Sequence, residues 1–204
     1  MKFNSTEELI SSIKAGEIII VMDDETRENE GDFFMAAEKV TPEKINFMLQ
    51  HGRGLLCMPI TTSHAAQLEL PLMSARGQRP FPCNFTWSIE ASSGVTTGIS
   101  AFERAHTILT ASKANATAQD IVSPGHIFPI MAKDGGVLVR PGHTEAAVDF
   151  ARLAGCYPAA VLIEILNADG TMARRDDLLK LAQAHHLKIG TIAQLIEYRT
   201  QHNV

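Results

Sequence analysis

Short apolar segments, each roughly six to nine residues long, recur along the chain between segments with helical periodicity. Residues 17–22, 55–60 and 159–167 read EIIIVM, LLCMPI and AAVLIEILN. Runs of this length and composition are typical of buried β-strands, and they are far shorter than the roughly 20 residues needed to cross a bilayer. The chain is therefore predicted to fold around a sheet whose strands alternate with helices, and no membrane association is expected.

Capping signals predict where the helices begin and end. Ser5 and Glu8 form a capping-box pattern, and Gly16 supplies a stop signal after the apolar face that follows. Ser100 and Glu103 repeat the capping-box pattern later in the chain. Together with periodicity, these signals predict helices over residues 5–16, 41–52, 101–111, 144–153, 176–186 and 191–200.

The remaining segments predict strands and one long loop. Residues 84–91 alternate like a strand, and residues 126–132 and 136–140 flank the turn KDGG as in a hairpin. Residues 71–83 contain three prolines and no periodicity, which predicts a loop. Without a repeat or linker, the prediction is an α+β fold: a single-domain complex α/β sandwich with a mixed sheet, spanning residues 1–204.

Composition excludes several classes of protein. The formal net charge of −5 argues against a nucleic-acid partner, which usually requires a basic surface. The three cysteines Cys57, Cys83 and Cys156 form no CxxC pair, so neither a disulfide framework nor a thiolate zinc site is indicated. The N-terminal segment lacks the apolar stretch of a signal peptide. A cytoplasmic enzyme is the expectation.

An acidic run follows the first predicted strand. Six of the eleven residues in MDDETRENEGD, residues 22–32, are acidic. In an extended segment the carboxylates of Glu28, Glu30 and Asp32 would point to one side. Such a group suits a hard cation or acid–base chemistry. The alternative is a solvated charged loop.

The segment RPGHTEA, residues 140–146, is a candidate anion site. Gly142 and His143 lead into Thr144, a good helix N-cap, so unpaired backbone N–H groups and the helix dipole would attract an anion there. Arg140 could bind a phosphate through both guanidinium nitrogens. The alternative is a capped helix with a surface arginine.

Two further residues are candidates for catalysis. His126 follows a Pro-Gly turn at the head of a predicted strand, where a hydrogen-bonded structural histidine is the alternative. Glu164 interrupts the apolar run VLIEIL, and a buried carboxylate needs a partner, a metal neighbour or a catalytic task.

The order of these segments resembles one known family. DDETRENEGD, GVTTGIS, RPGHTEA, the strand that carries Glu164 and the following DGTMAR resemble 3,4-dihydroxy-2-butanone-4-phosphate synthases of riboflavin biosynthesis, in their monofunctional form. The resemblance extends over nearly the whole chain. Two features differ: Glu103 stands where the family commonly has aspartate, and the segment around residues 74–84 lacks the usual glycine-threonine pair.

The resemblance implies a role for each site residue. Glu28 and His143 would be the protein ligands of the metal, and His126 and Glu164 would be essential for catalysis. Substrate contacts would come from a larger set, namely Arg27, Glu28, Asp32, Arg140, Pro141, Gly142, His143, Thr144 and Glu164.

The resemblance also implies the reaction and the assembly. D-ribulose 5-phosphate would be converted into L-3,4-dihydroxy-2-butanone 4-phosphate and formate, with Mg²⁺ or Mn²⁺, two ions per site, and no organic cofactor. The protein would be a homodimer with its sites at the subunit interface. A metal-dependent phosphosugar isomerase or aldolase would use the same residues without releasing formate, and a binding module would show no turnover.

Overall fold

The computed structural model describes residues 2–74, 76–77 and 82–204. Within these residues, seven strands form one sheet in the order β4-β5-β3-β6-β2-β1-β7. The strands are β1 Ile19–Met22, β2 Gly31–Ala36, β3 Cys57–Ile60, β4 Ile89–Ala91, β5 Ile121–Met131, β6 Ala160–Glu164 and β7 Lys188–Thr191. Strand pairs β1–β7 and β3–β5 are parallel, and the other four pairs are antiparallel. The predicted α+β sandwich with a mixed sheet is confirmed.

Seven α-helices surround the sheet in the described part of the chain. They are α1 Thr6–Ala15, α2 Pro42–Gly52, α3 Thr62–Gln67, α4 Ala101–Ala111, α5 His143–Leu153, α6 Arg175–Ala184 and α7 Ile192–His202. The capping box of Ser5 with Glu8 and the left-handed cap at Gly16 form as predicted. Ser100 likewise caps α4 through the backbone N–H of Glu103. Local sequence therefore determines these helix boundaries.

The sheet is buried on both faces. Ile20 and Phe33 belong to a core that α2, α4 and α6 cover, whereas Ile19 and Phe34 belong to a core that α1, α5 and α7 cover. Both phenylalanines are fully buried, and burial of each contributes about 1.5–3 kcal/mol. Since alternate residues of a strand face opposite sides, Asp32 shares the side of Phe34 and lies beneath α5.

The predicted hairpin of residues 126–132 and 136–140 is wrong. Strand β5 pairs with β3 and β4 instead, and Gly136–Leu138 forms a 3-10 helix. The backbone N–H of Val137 donates to the buried carboxylate of Asp149 on α5 at 2.9 Å, which holds this segment against the helix. The chain therefore does not return alongside β5.

Other predictions need smaller corrections. The strand predicted over residues 84–91 is continuous only from Ile89, and residues 25–28 form a turn rather than an extended segment. The short elements α3 and β7 were not predicted. The predicted loop of residues 71–83 lies in part outside the described residues, as does the 74–84 segment. Among the described residues, no helix is long and apolar enough to cross a membrane.

Candidate active site

Asp23 organises the connection between β1 and β2. Its carboxylate accepts hydrogen bonds from the backbone N–H of Glu28 at 3.1 Å and of Glu30 at 2.9 Å, and from the guanidinium of Arg27 at 2.7 Å. Asn29 adopts a φ of 55°, so the chain turns sharply before it enters β2. The acidic run is therefore a structured turn held around one buried carboxylate.

Three predicted residues converge where this turn meets α5. His143 Nδ1 lies 3.6 Å from a carboxylate oxygen of Glu28 and 4.0 Å from one of Asp32. The ring of His143 also packs edge-on against Phe34, with the ring centroids 6.1 Å apart. We call Asp23, Glu28, Asp32 and His143 the acid cluster. Its members come from the β1–β2 connection, the start of β2 and the first turn of α5.

Two atoms of the acid cluster are buried without a hydrogen-bond partner among the described residues. They are Oδ1 of Asp32 and Nε2 of His143. Leaving a buried polar group unpaired is unfavourable by about 1–3 kcal/mol, so native proteins rarely retain one without a purpose. Both atoms are of types that commonly bind a metal ion or a substrate. Their position indicates that the cluster binds one of these.

The charges of the cluster shift the pKa values of its members. Burial lowers the pKa of His143, but the carboxylates of Asp32 and Glu28 outweigh burial and raise this pKa to about 9. Burial raises the pKa of Asp32 to about 7, and the charge of Glu164 acts in the same direction. The contact with His143 lowers the pKa of Glu28. The site therefore favours a positive charge beside these carboxylates, whether a proton or a metal ion.

The donor atoms of the cluster fit a divalent cation. One ligand atom each from Asp23, Glu28 and His143 lies within 4.8 Å of the other two. Carboxylate oxygens suit Mg²⁺ and Mn²⁺, and Mg²⁺ usually retains water molecules beside few protein ligands. Asp23 already binds the turn through both of its carboxylate oxygens. Glu28 accepts a hydrogen bond from Arg27 at 2.5 Å through one oxygen, so Glu28 and His143 are the more available ligands.

The residues just before α5 line an open cleft. No side chain caps this helix at Gly142, whereas Ser5, Thr41 and Ser100 cap α1, α2 and α4. A cleft of about 570 Å³ is lined by residues that include Arg27, Arg140 and Pro141. Two cations and a helix N-terminus at one cleft suit an anion.

Arg140 already has protein partners. Its guanidinium donates to the buried carboxylate of Glu145 at 2.6 Å and to the carbonyl of Pro82 at 3.1 Å. A Cβ at position 142 would lie 2.4 Å from this guanidinium, so glycine lets the arginine lie close to the start of α5. Thr144, in the same turn, is buried. These contacts fix the guanidinium at the edge of the cleft.

Glu164 lies beside the acid cluster at the end of β6. It pairs with Asp32 across the β2–β6 ladder, and its carboxylate accepts a hydrogen bond from the backbone N–H of Leu55 at 2.7 Å. Cys57 lies beneath these two carboxylates and is only 2% exposed. Burial raises the pKa of the Cys57 thiol, and the charges of Glu164 and Asp32 raise it further.

His126 stands apart from the other predicted residues. Strand β5 is separated from β6 by β3, which places the two strands about 10 Å apart. Among the described residues, no hydrogen bond or ion pair joins His126 to the acid cluster. Its Nδ1 instead contacts the carboxylate of Glu90 on β4. We call Glu90, His126 and the neighbouring exposed Trp87 and Val122 the His126 edge.

The sequence prediction omitted three residues that shape the site. Asp23 belongs to the acidic run and Glu145 to the GHTEA segment, so the motifs themselves contained that signal. Glu90 ends an alternating segment and carries no local signal, because its partner is distant in sequence.

Comparison with known proteins identifies similar chains. The family model described as 3,4-dihydroxy-2-butanone 4-phosphate synthase matches residues 7–198. The curated enzyme of that name from Photobacterium phosphoreum is 56% identical over 202 residues, which cover 99% of this chain and 56% of the relative. The chain thus spans about half the length of the curated relatives that it matches.

Solved structures agree in fold. A two-domain 3,4-dihydroxy-2-butanone 4-phosphate synthase from A. baumannii is 55% identical with a TM-score of 0.93, and the match covers 96% of this chain and 58% of that one. A synthase crystallised in complex with two magnesium ions is 37% identical with a TM-score of 0.93. The match covers 98% of each chain.

Proposed function

The chain belongs to the 3,4-dihydroxy-2-butanone 4-phosphate synthase family, and from this premise we propose that it converts D-ribulose 5-phosphate into L-3,4-dihydroxy-2-butanone 4-phosphate and formate. The observation that carries the proposal is the acid cluster, in which Asp32 and His143 each present a buried atom that has no partner among the residues the structure describes. A reaction with several proton transfers needs carboxylates and imidazoles close together, and this part of the molecule provides them.

Glu28 and His143 are the proposed ligands of Mg²⁺ or Mn²⁺, with two ions per site. The similar synthase that was crystallised with two magnesium ions supports the type and the number of ions. A bound divalent cation would stabilise negative charge that develops on the substrate carbonyl oxygen. Asp23 keeps Glu28 in place through the backbone of the turn.

The phosphate group is proposed to bind at the cleft beside α5. The uncapped backbone N–H groups after Gly142 and the guanidinium of Arg140 provide complementary donors. Pro141, His143 and Thr144 complete this turn. Arg27 and Asp32 would contact the polyol between the phosphate and the cation, because Asp32 belongs to the acid cluster and Arg27 pairs with Asp23 within it.

Glu164 and His126 are the proposed proton-transfer residues. Glu164 lies opposite Asp32 in the β2–β6 ladder, which places two carboxylates next to each other at the acid cluster. Such a pair can accept a proton from one substrate atom and return it to another. His126 would act from the other side of the substrate.

His126 is proposed to reach the acid cluster of a second copy in a homodimer. Exposed apolar residues lie on or next to the same two strands: Trp87, just before β4, is 55% exposed, and Val122, on β5, is 49% exposed. A hollow of about 360 Å³ beside them is lined by Met73, Trp87 and Pro124. A second subunit would cover these side chains. His126 of the first subunit would then lie next to Glu28 and His143 of the second. The cytoplasmic location stays a prediction.

Formate release from D-ribulose 5-phosphate with Mg²⁺ tests the proposal. We expect formate and the four-carbon phosphate in equal amounts. Glu28→Gln should abolish both, whereas Glu25→Gln, in the same turn but exposed, should leave both unchanged. Turnover without formate would indicate an isomerase or aldolase, and no turnover would indicate a binding module.

A further inference from the structure

The contact between His126 and Glu90 joins a half-exposed ring to a largely buried carboxylate. The side chain of His126 is 45% exposed, but that of Glu90 is only 14% exposed. Among the described residues, His126 Nδ1 is the hydrogen-bond partner of the Glu90 carboxylate. Nδ1 is thus bound by the protein, and part of the ring remains exposed to solvent.

A bulge in β5 brings the two side chains together. Ile89 pairs with Ile127, but the next residue, Glu90, pairs with Val122. Residues 123–126 of β5 are therefore looped out between two consecutive residues of β4. Bulges of this kind redirect a side chain at the edge of a sheet. Here the bulge turns His126 onto Glu90.

The GVTTGIS loop fixes the carboxylate from the other side. A Cβ at Gly98, which has a φ of 77°, would lie 1.4 Å from Oε1 of Glu90, so the loop backbone packs directly on this group. The carboxylate of Glu103 anchors the loop by accepting hydrogen bonds from Thr96 N–H at 2.5 Å and from its hydroxyl at 2.7 Å. Glu90 therefore has little freedom to move away.

Stability does not explain this arrangement. An ion pair with one half-exposed member contributes little to folding, and covering a carboxylate opposes folding. A carboxylate that accepts Nδ1–H, by contrast, fixes both the orientation and the tautomer of an imidazole. The remaining nitrogen, Nε2, is then unprotonated and available to a reacting group.

We propose that Glu90 is a positioning residue for His126: the bulge and the GVTTGIS loop hold its carboxylate on Nδ1, so that Nε2 is the atom that exchanges protons with the substrate. This inference rests on the proposed function, in which His126 transfers protons. When Nε2 takes a proton from the substrate, the Glu90 carboxylate stabilises the imidazolium until the proton is returned.

Three variants of Glu90 test the proposal in the full chain. Glu90→Gln can donate its amide N–H to Nδ1 and so favours the wrong tautomer, and kcat should fall by about 10- to 100-fold with little change in KM. Glu90→Ala should lose a similar factor and regain part of it with added acetate. Glu90→Asp, which keeps the charge, should be the least impaired.

The tautomer can be measured without turnover. Imidazole ¹⁵N shifts, assigned to His126 by their loss in His126→Asn, should show protonated Nδ1 in the parent and a shifted equilibrium in Glu90→Gln. Asp120→Asn is the matched control. Asp120 lies just before β5, and its carboxylate accepts hydrogen bonds from Thr117. Removing this carboxylate should change neither kcat nor the ¹⁵N shifts of His126.

The outcomes separate this inference from the proposed function. An active parent whose folded Glu90→Gln form keeps kcat and the ¹⁵N shifts of the parent would overturn the inference alone. Loss of kcat in Glu90→Ala without any rescue by acetate, together with unchanged shifts in Glu90→Gln, would have the same meaning. A parent that releases no formate would overturn the proposed function, and the positioning role of Glu90 in it.

Discussion

The acid cluster and the His126 edge differ in how exposed their side chains are and in how many contacts those side chains make within the chain. In the acid cluster, Asp23 is satisfied by backbone and guanidinium donors, and His143 is nearly covered. At the His126 edge the histidine is 45% exposed and lies among exposed apolar side chains. The comparison shows a largely buried group of charged side chains in one region and an exposed histidine beside a carboxylate in the other.

The two regions also arise from different structural devices. The acid cluster forms where the β2–β6 ladder, a tight turn and a helix N-terminus meet, and the turn and the helix start each lie within a short sequence segment. The His126 edge depends on a bulge and on a loop that packs against it. The first region should therefore respond to cations, and the second to assembly.

Removal of divalent cations is expected to have the largest effect. EDTA should reduce formate release to background, and Mg²⁺ or Mn²⁺ should restore it, since the proposed chemistry needs a divalent cation at the acid cluster to stabilise negative charge on the substrate. Calorimetry should show weaker Mg²⁺ binding by Glu28→Gln but not by His126→Asn. Full turnover by metal-free protein would break the assignment of cation chemistry to this region.

Mixing of two inactive variants tests the shared site. Asp32→Asn damages the acid cluster and His126→Asn the edge, so a mixed dimer would retain one intact site of two. Random exchange in a two-fold dimer should recover about a quarter of the parent activity. Each variant alone, taken through the same exchange, is the control. No recovery despite demonstrated exchange of subunits would place both regions in one chain's site.

Glu164→Gln should affect chemistry rather than binding. The glutamine keeps an oxygen for the Leu55 N–H but cannot exchange a proton, so kcat should fall by about 10² or more while KM stays close to the parent value. Single-turnover kinetics would make the measurement. A folded variant with nearly parental kcat would return Glu164 to a structural role within β6.

Arg140→Ala should affect binding rather than chemistry. Loss of a charge-assisted contact to phosphate should weaken substrate binding by roughly 1.5–3 kcal/mol, seen mainly in KM. Arg152→Ala is the control, because Arg152 also pairs with a carboxylate of α5, Asp149, but is 52% exposed. If both substitutions raised KM equally, the change would be due to the lost contact with α5 and not to a lost contact with the phosphate.

The smallest expected effect concerns the pH dependence of the loop beside the edge. Hydrogen bonds from Thr96 and Ser100 lower the pKa of Glu103 to about 2. A lowered carboxyl pKa stabilises the fold above the unfolded value near 4.5, and this stabilisation is lost as pH falls towards 2. The difference in melting temperature between the parent and Glu103→Gln should therefore shrink from pH 6 to pH 3. A constant difference would contradict this.

Local signals in the sequence were sufficient for much of the fold. Caps such as Ser5 and Ser100 act within one turn of helix, so they could be recognised without tertiary information. The predicted hairpin after His126 failed because tertiary contacts decide it: Asp149, on a later helix, binds the N–H of Val137. Strand β7 was not predicted because its four residues have a partner at the other end of the chain.

The candidate site shows the same division. Glu28, Asp32 and His143 were predicted from two motifs, and the structure places His143 Nδ1 within about 4 Å of a carboxylate oxygen of each acid. The extended geometry assumed from Glu28 onwards begins only at β2, because residues 25–28 form a turn. The pairing of Glu90 with His126 could not be predicted, because a bulge in β5 creates it and no single segment encodes that bulge.

Cys57 lies next to the acid cluster, with its thiol near Asp32 and Glu164. Nucleophilic attack and oxidation by peroxide both proceed through the thiolate, and the raised pKa keeps this sulfur protonated at neutral pH. Burial adds a steric barrier, since the residue is 2% exposed. A cysteine at the centre of the proposed catalytic machinery is thus chemically quiet, and alkylating reagents or oxidative stress should leave it intact.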